Sequence, residues 1–209
     1  MKEKDIKNNW YYFCSLASQL QQTTQYVDHS TDRTNNIING KTFSNEFAKI
    51  LMLAASEFEV VSKSLCVEAG VTLNWNASIV SITRIIISKF PNIGNTEIYT
   101  PYQILQPLKS WKVITVPKGK GKPIDKVDGI DWWKAHNYVK HDRSKNFTSA
   151  NLENCIYAMA SLEVLELYLS QKVLGNIDAV STIPCDYFDF EYGLSRLDVN
   201  AGHRLPDFP

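Results

Sequence analysis

Apolar residues return every three or four positions through most of this chain, a spacing that predicts helices. Trp10, Phe13, Ala17 and Leu20 mark a first amphipathic helix. Phe47, Leu51, Ala54, Phe58, Val61 and Leu65 continue one stripe through a second. Ser44 supplies its N-cap, Glu46 suits the positive end of its dipole, Glu59 and Lys63 pair along its polar side, and Gly70 ends it. Residues 21–41, rich in Gln, Thr and Asn, either extend the first helix with a polar face or form a loop closed by Asn39-Gly40. A third helix, capped by Asn74 or Asn76, is predicted to run to Phe90, where Pro91 stops it. Its β-branched centre (Ile79, Val80, Ile82, Ile85, Ile86, Ile87) also fits a buried strand, but its length and its helical neighbours favour helix.

Residues 91–130 break the pattern. Thr96–Thr100 and Lys112–Val116 resemble short strands, each followed by a proline. Lys118-Gly-Lys-Gly-Lys122 reads as a flexible basic loop without the GxxxxGK[ST] arrangement of a phosphate-cradling P-loop. Its plain reading is a solvated turn; its sharper one is contact with RNA phosphates. A further helix spans Asp131 to Arg143. After a break at 144–149, a long one runs from Asn151 to Leu174 and stops at Gly175. More than half of that last helix is apolar, including Leu152, Cys155, Ile156, Met159, Leu162, Leu165 and Leu169. Such breadth places a helix at the centre of a bundle or in a subunit interface. The chain is therefore expected to be all-α: one helical bundle over residues 1–183, with a small β-containing insertion at 91–130. Residues 184–209, with Tyr187, Phe188, Phe190 and Tyr192, form an aromatic C-terminal tail expected to pack on it as an irregular or strand-like cap.

Basic and acidic residues balance at 22 each, so the whole-molecule field does not attract nucleic acid, and any polyanion must be held by a local patch. The charged N-terminus leads into no apolar signal core, and no apolar run approaches the roughly 20 residues of a membrane span. A cytoplasmic protein with no membrane partner is expected. Cys14, Cys66, Cys155 and Cys185 form no CxxC pair, and the first three sit in apolar helical patterns. Asp28, His29 and Asp32 offer metal-ligand chemistry but read as a solvated loop. No metal and no cofactor is expected.

The chemistry concentrates in Asp131-Trp-Trp-Lys-Ala-His-Asn-Tyr-Val-Lys-His-Asp-Arg143, which holds two of the four histidines beside Lys134, Lys140 and Arg143. Imidazoles move protons near neutral pH, and the cations can hold a phosphate. On a helix Asn137 and His141 face the same way, as do His136 and Lys140. His136 and His141, five apart, point about 140° away from each other, so they converge on one substrate atom only through a second chain or a bend. A plainer alternative makes Trp132, Trp133, Tyr138 and Val139 the packed face and leaves His136, Lys140 and Arg143 on its wet side.

The segment from Trp132 to Leu169 resembles the HEPN superfamily of small helical-bundle proteins. Their hallmark is an Arg, a polar residue (often Asn), three further residues and a His near the start of a late helix. His136-Asn137-Tyr138-Val139-Lys140-His141 has that spacing, with Asn137 at the polar position and His141 at the terminal one. Arg143, Phe147, Ala150, Asn154 and the long apolar helix are similar to HEPN-like proteins of prokaryotic defence. The resemblance implies a homodimeric, metal-independent endoribonuclease of a toxin or abortive-infection system, with RNA as substrate and an antitoxin or regulatory protein as a further partner. It implies that His141 is the acid or base and that Asn137 orients it or the scissile phosphate; Lys140, Arg143 and Lys134 are the candidate phosphate-binding cations. The chain departs from the motif at His136, which stands where the family has Arg. Either His136 works with His141 as an acid–base pair across the dimer, or catalysis is lost and a module that binds RNA, a nucleotide or a protein remains.

Overall fold

Three side-chain caps decide where the principal helices begin. The computed structural model describes residues 1–74, 76–119, 121–177, 180, 185, 187 and 188. Its helices are α1 (Glu3–Gln22), α2 (Asn45–Glu68), α3 (Ile79–Lys89), α4 (Asp131–His141), the single turn α5 (Arg143–Asn146) and α6 (Leu152–Leu174). Ser44 Oγ accepts the Phe47 N–H at 3.0 Å at the head of α2, and Asn151 Oδ1 accepts the Asn154 N–H at 3.0 Å at the head of α6. Ser78, not Asn74 or Asn76, caps α3 through the Ser81 N–H at 3.3 Å. The polar stretch after α1 is a loop. One 3-10 turn, Thr23–Gln25, follows Gln22, and the chain then leaves the helix axis.

The core is built around α6, which lies against α2 and α1. Every residue from Ala158 to Gln171 is buried, as expected for a helix apolar around most of its circumference. Phe58 of α2 joins the layers: its ring lies 4.9 Å from Trp132, 5.5 Å from Trp111 and 6.1 Å from Trp133. The Trp132 indole N–H donates to Ser161 Oγ at 3.0 Å, so this buried donor of α4 is satisfied on α6.

The expectation of an all-α fold is corrected: the molecule is helix-dominated but mixed. Strands form at β1 (Ile98–Tyr99), β2 (Ile104–Leu105), β3 (Lys112–Lys118) and β4 (Gly121–Asp128), giving two antiparallel two-stranded sheets, β1 with β2 and β3 with β4. Lys112 pairs with Asp128 and Val116 with Ile124, and the register shifts before Lys118 meets Gly121. Strand β4 escaped the hydrophobic pattern because lysines, Pro123 and aspartates fill it. The segment read as a solvated turn at 118–122 is the exposed turn of this hairpin, where Lys118 pairs with Gly121 and Gly119 has φ +45°.

The loop at Asp28–Asp32 also departs from the solvated reading. Asp28 and Asp32 cap local turns, but His29 is buried. The Thr23 hydroxyl donates to the Leu20 carbonyl at 2.7 Å, which leaves its oxygen to accept from His29 Nε2 at 2.9 Å. His29 Nδ1 then accepts from the Tyr187 hydroxyl at 2.7 Å. Tyr187 and Phe188 are buried; the rest of the cap expected over 184–209, including Phe190 and Tyr192, lies outside the described residues. Among the described residues no helix is long and apolar enough to cross a membrane.

Gly129 joins the hairpin to α4 at φ +80°, and a Cβ there would fall 1.7 Å from the Ser110 carbonyl oxygen. Gly129→Ala is expected to lower the thermal midpoint more than any exposed-site alanine, read by circular dichroism. Trp132→Ala should cost about 3–5 kcal/mol in urea unfolding, since it opens a cavity beside Phe58 and removes the indole donor to Ser161 Oγ. A loss within that of surface variants would contradict this account of the core.

Candidate functional site at the end of α4

Helix α4 begins without a side-chain cap and ends at His141, two residues before the expected end. Asp142 then caps α5, accepting the Lys145 N–H at 3.3 Å, so Arg143 starts a new turn rather than extending α4. Trp132, Trp133, Ala135, His136 and Val139 face the core. Lys134, Tyr138 and His141 make an exposed stripe at i, i+4 and i+7, with Lys140 exposed beside it and Asn137 half-buried.

The residues singled out from the motif divide into three environments. His141, Lys140 and Arg143 are exposed at the C-terminal end of α4, where carbonyl dipoles favour cations. Neither Lys140 nor Arg143 is paired with a carboxylate among the described residues. Both line a depression of about 340 Å³ with Asn45, Ala48, Lys49 and Met52 of α2. Its floor, made by Ala48, Val139 and Met52, is apolar, and its rim is cationic. Asn137 turns back along its own helix, donating from Nδ2 to the Trp133 carbonyl at 2.9 Å, which leaves its Oδ1 uncommitted by that bond. Lys134 is drawn away from the others: its ammonium donates to Asp128 and Asp131, each at 3.0 Å, and these bonds hold its pKa above the usual lysine value.

His136 is the third environment. It is buried, its ring centroid 5.1 Å from that of Trp133, and its Nδ1 has no hydrogen-bond partner. Burial pulls its pKa down to about 4, with Lys140 adding to the effect, so the ring is neutral at pH 7. It thus belongs neither to the wet side of α4 nor beside His141. Trp132, Trp133 and Val139 do form the packed face, while Tyr138 is exposed.

Lys49 is the residue the sequence did not single out. Its pairing with Glu46 at 2.5 Å is an ordinary i, i+3 contact of a solvated helix face, and only the approach of α4 brings it to the rim. Compared with known proteins, the chain matches no family model, no curated protein and no solved structure.

What the exposed group can do follows from its composition. An accessible imidazole can exchange protons with a bound substrate, and unpaired lysine and arginine beside it can stabilise charge on a phosphate. Among the described residues no group of three or more His, Cys, Asp or Glu side chains is arranged to hold a metal ion. Away from this end, Glu166 of α6 is fully buried, and burial, with Glu57 adding, holds its carboxyl well above the usual range.

The neutrality of His136 carries a stability signature. Its folded pKa lies below its unfolded value, so the unfolded chain binds the extra proton first, and stability is lost as pH falls from about 6.5 toward 4. His29, whose pKa burial also lowers to about 4, adds a loss of the same sign. In urea titrations His136→Leu should lose less stability between pH 7 and pH 5 than the wild type does, with the His29 part unchanged. Equal losses would place the His136 ring in contact with water.

Proposed function

We propose that this protein is a HEPN-like, metal-independent endoribonuclease of a toxin or abortive-infection type system, acting in the cytoplasm as a homodimer. The observation that carries the reading is the exposed His141 flanked by unpaired Lys140 and Arg143 beside the cationic rim with Lys49. RNA supplies its own nucleophile. A base takes the proton of the ribose 2′-hydroxyl, that oxygen attacks the phosphorus, and an acid protonates the departing 5′-oxygen. The protein needs proton transfer at two places and cations for the phosphorane charge. His141 is the group for proton transfer, and the His141 of a second subunit serves as its complement. Lys140 and Arg143 face the phosphate, and Asn137 orients substrate or imidazole through its free carbonyl. His136, neutral and buried against Trp133, fits a positioning role on the packed face of α4.

A second reading is favoured by one specific feature. Arg at the position of His136 would bring a permanent charge and a bidentate fork; a buried neutral histidine brings neither. A non-catalytic module that binds RNA, a nucleotide or an antitoxin-like protein is the alternative on that ground.

The two are separated by incubating purified protein with end-labelled single-stranded RNA in EDTA. Cleavage is expected, with His141→Ala lowering its rate by about 10²–10⁴ while leaving the fold intact. Arg143→Gln is expected to weaken cleavage less, and His136→Leu to retain most of it. Intact RNA at high protein concentration, together with binding that survives His141→Ala, would replace the enzyme with the binding module.

A further inference from the structure

The β3–β4 hairpin concentrates positive charge in a chain that is otherwise acidic. Residues 112–128 contain five lysines against two aspartates, a surplus of three. The whole chain balances, so the remainder carries the same surplus of acid. Charge so segregated makes a local field that a net-neutral molecule does not have.

The ladder shows how that charge is presented. Residues directly opposite each other in an antiparallel pair share a face. Val113, Val127, Thr115 and Asp125 occupy one face, and Lys112, Asp128, Ile114, Lys126, Val116 and Ile124 the other. The first face is anchored to the body at two points. Val127 packs against the core, and Asp125 accepts from Arg84 of α3 at 2.5 Å and from the Thr115 hydroxyl at 2.6 Å. Both aspartates of the hairpin are committed, since Asp128 accepts from Lys134 of α4 at 3.0 Å and lies 4.0 Å from Lys112. Lys118, Lys122 and Lys126 are exposed and have no carboxylate partner among the described residues. The acids that could neutralise the hairpin thus anchor it, while the lysines toward its tip are left unpaired.

A solvated, aggregation-resistant edge would also carry lysines and prolines. It would not require both carboxylates to be committed to anchoring bonds, one at the base and one to Arg84 of α3. We infer that Lys118, Lys122 and Lys126 of this hairpin bind the phosphate backbone of single-stranded RNA, independently of base sequence. The choice of RNA rests on the reading of the His141 site. The hairpin base and that site share α4: Lys134 at one end holds Asp128, and His141 lies about 10 Å further along the helix axis. A strand lying on the hairpin is thereby held next to the helix that carries the imidazole.

The test uses a fluorescein-labelled single-stranded RNA, with anisotropy read against the full chain over a range of salt concentrations. His141→Ala serves as the parent, so that cleavage does not enter. The charge-reversed protein with Lys118→Glu, Lys122→Glu and Lys126→Glu is expected to bind at least about tenfold more weakly. Its slope of log affinity against log salt should be shallower by about 2, the value for three lost phosphate contacts on a single strand. The neutral counterpart with Gln at the same positions should fall between the two, and circular dichroism should show all three folded. Unchanged affinity and slope in the folded reversed protein would overturn the inference, as would absence of RNA binding by the parent. Displacement of the RNA by polyglutamate at equal charge concentration would also overturn it, by assigning the surface to an acidic polypeptide. Wild-type cleavage is followed in parallel: uncut RNA with hairpin-dependent binding removes the nuclease and leaves the hairpin assignment standing.

Discussion

Phe58 and the three tryptophans around it hold the parts of this molecule in register. The ring sits on α2, and its neighbours come from the segment before the hairpin (Trp111) and from the first turn of α4 (Trp132, Trp133). Trp132 in turn reaches α6 through its indole N–H. Edge-on aromatic contacts of this kind are directional as well as apolar, so they fix the rotation of α4 about its axis and not only its depth. That rotation puts His136 inside and His141 outside.

The same constraint separates groups that stand close together in the chain. A separation of five positions leaves the two histidines about 140° apart around a helix, and a packed face on α4 cannot expose both. His136 is driven toward its neutral form by lost solvation, while Lys140 and Arg143 remain free beside the depression against α2. Lys134, one turn nearer the hairpin, is taken up by Asp128 and Asp131 and ties the base of the hairpin to α4. Helix α4 therefore carries a structural lysine at one end and the unpaired Lys140 at the other, with Arg143 following on α5.

Helix α6 illustrates how far burial overrides residue type. Ser161, Glu163, Glu166, Ser170 and Gln171 are buried with the apolar residues because the helix is enclosed on all sides. Burial moves the Glu166 carboxyl toward its neutral form, which removes the larger cost of an enclosed charge.

The sequence by itself determined the helices with strong periodicity. The stripe from Phe47 to Leu65 and the broad apolar run from Leu152 to Leu169 each led to a buried helix, because side-chain spacing and helix pitch are local properties. Strands at Ile98 and Lys112 were legible for the same reason, but their partners β2 and β4 were not: pairing is made between distant segments, and a lysine-rich strand has no apolar alternation to announce it. The cluster around His141 was visible as composition. Its division into a buried neutral ring, an anchored Lys134 and free cations was decided only when α2 and the hairpin closed on α4, since solvation and ion pairing depend on which segment lies opposite.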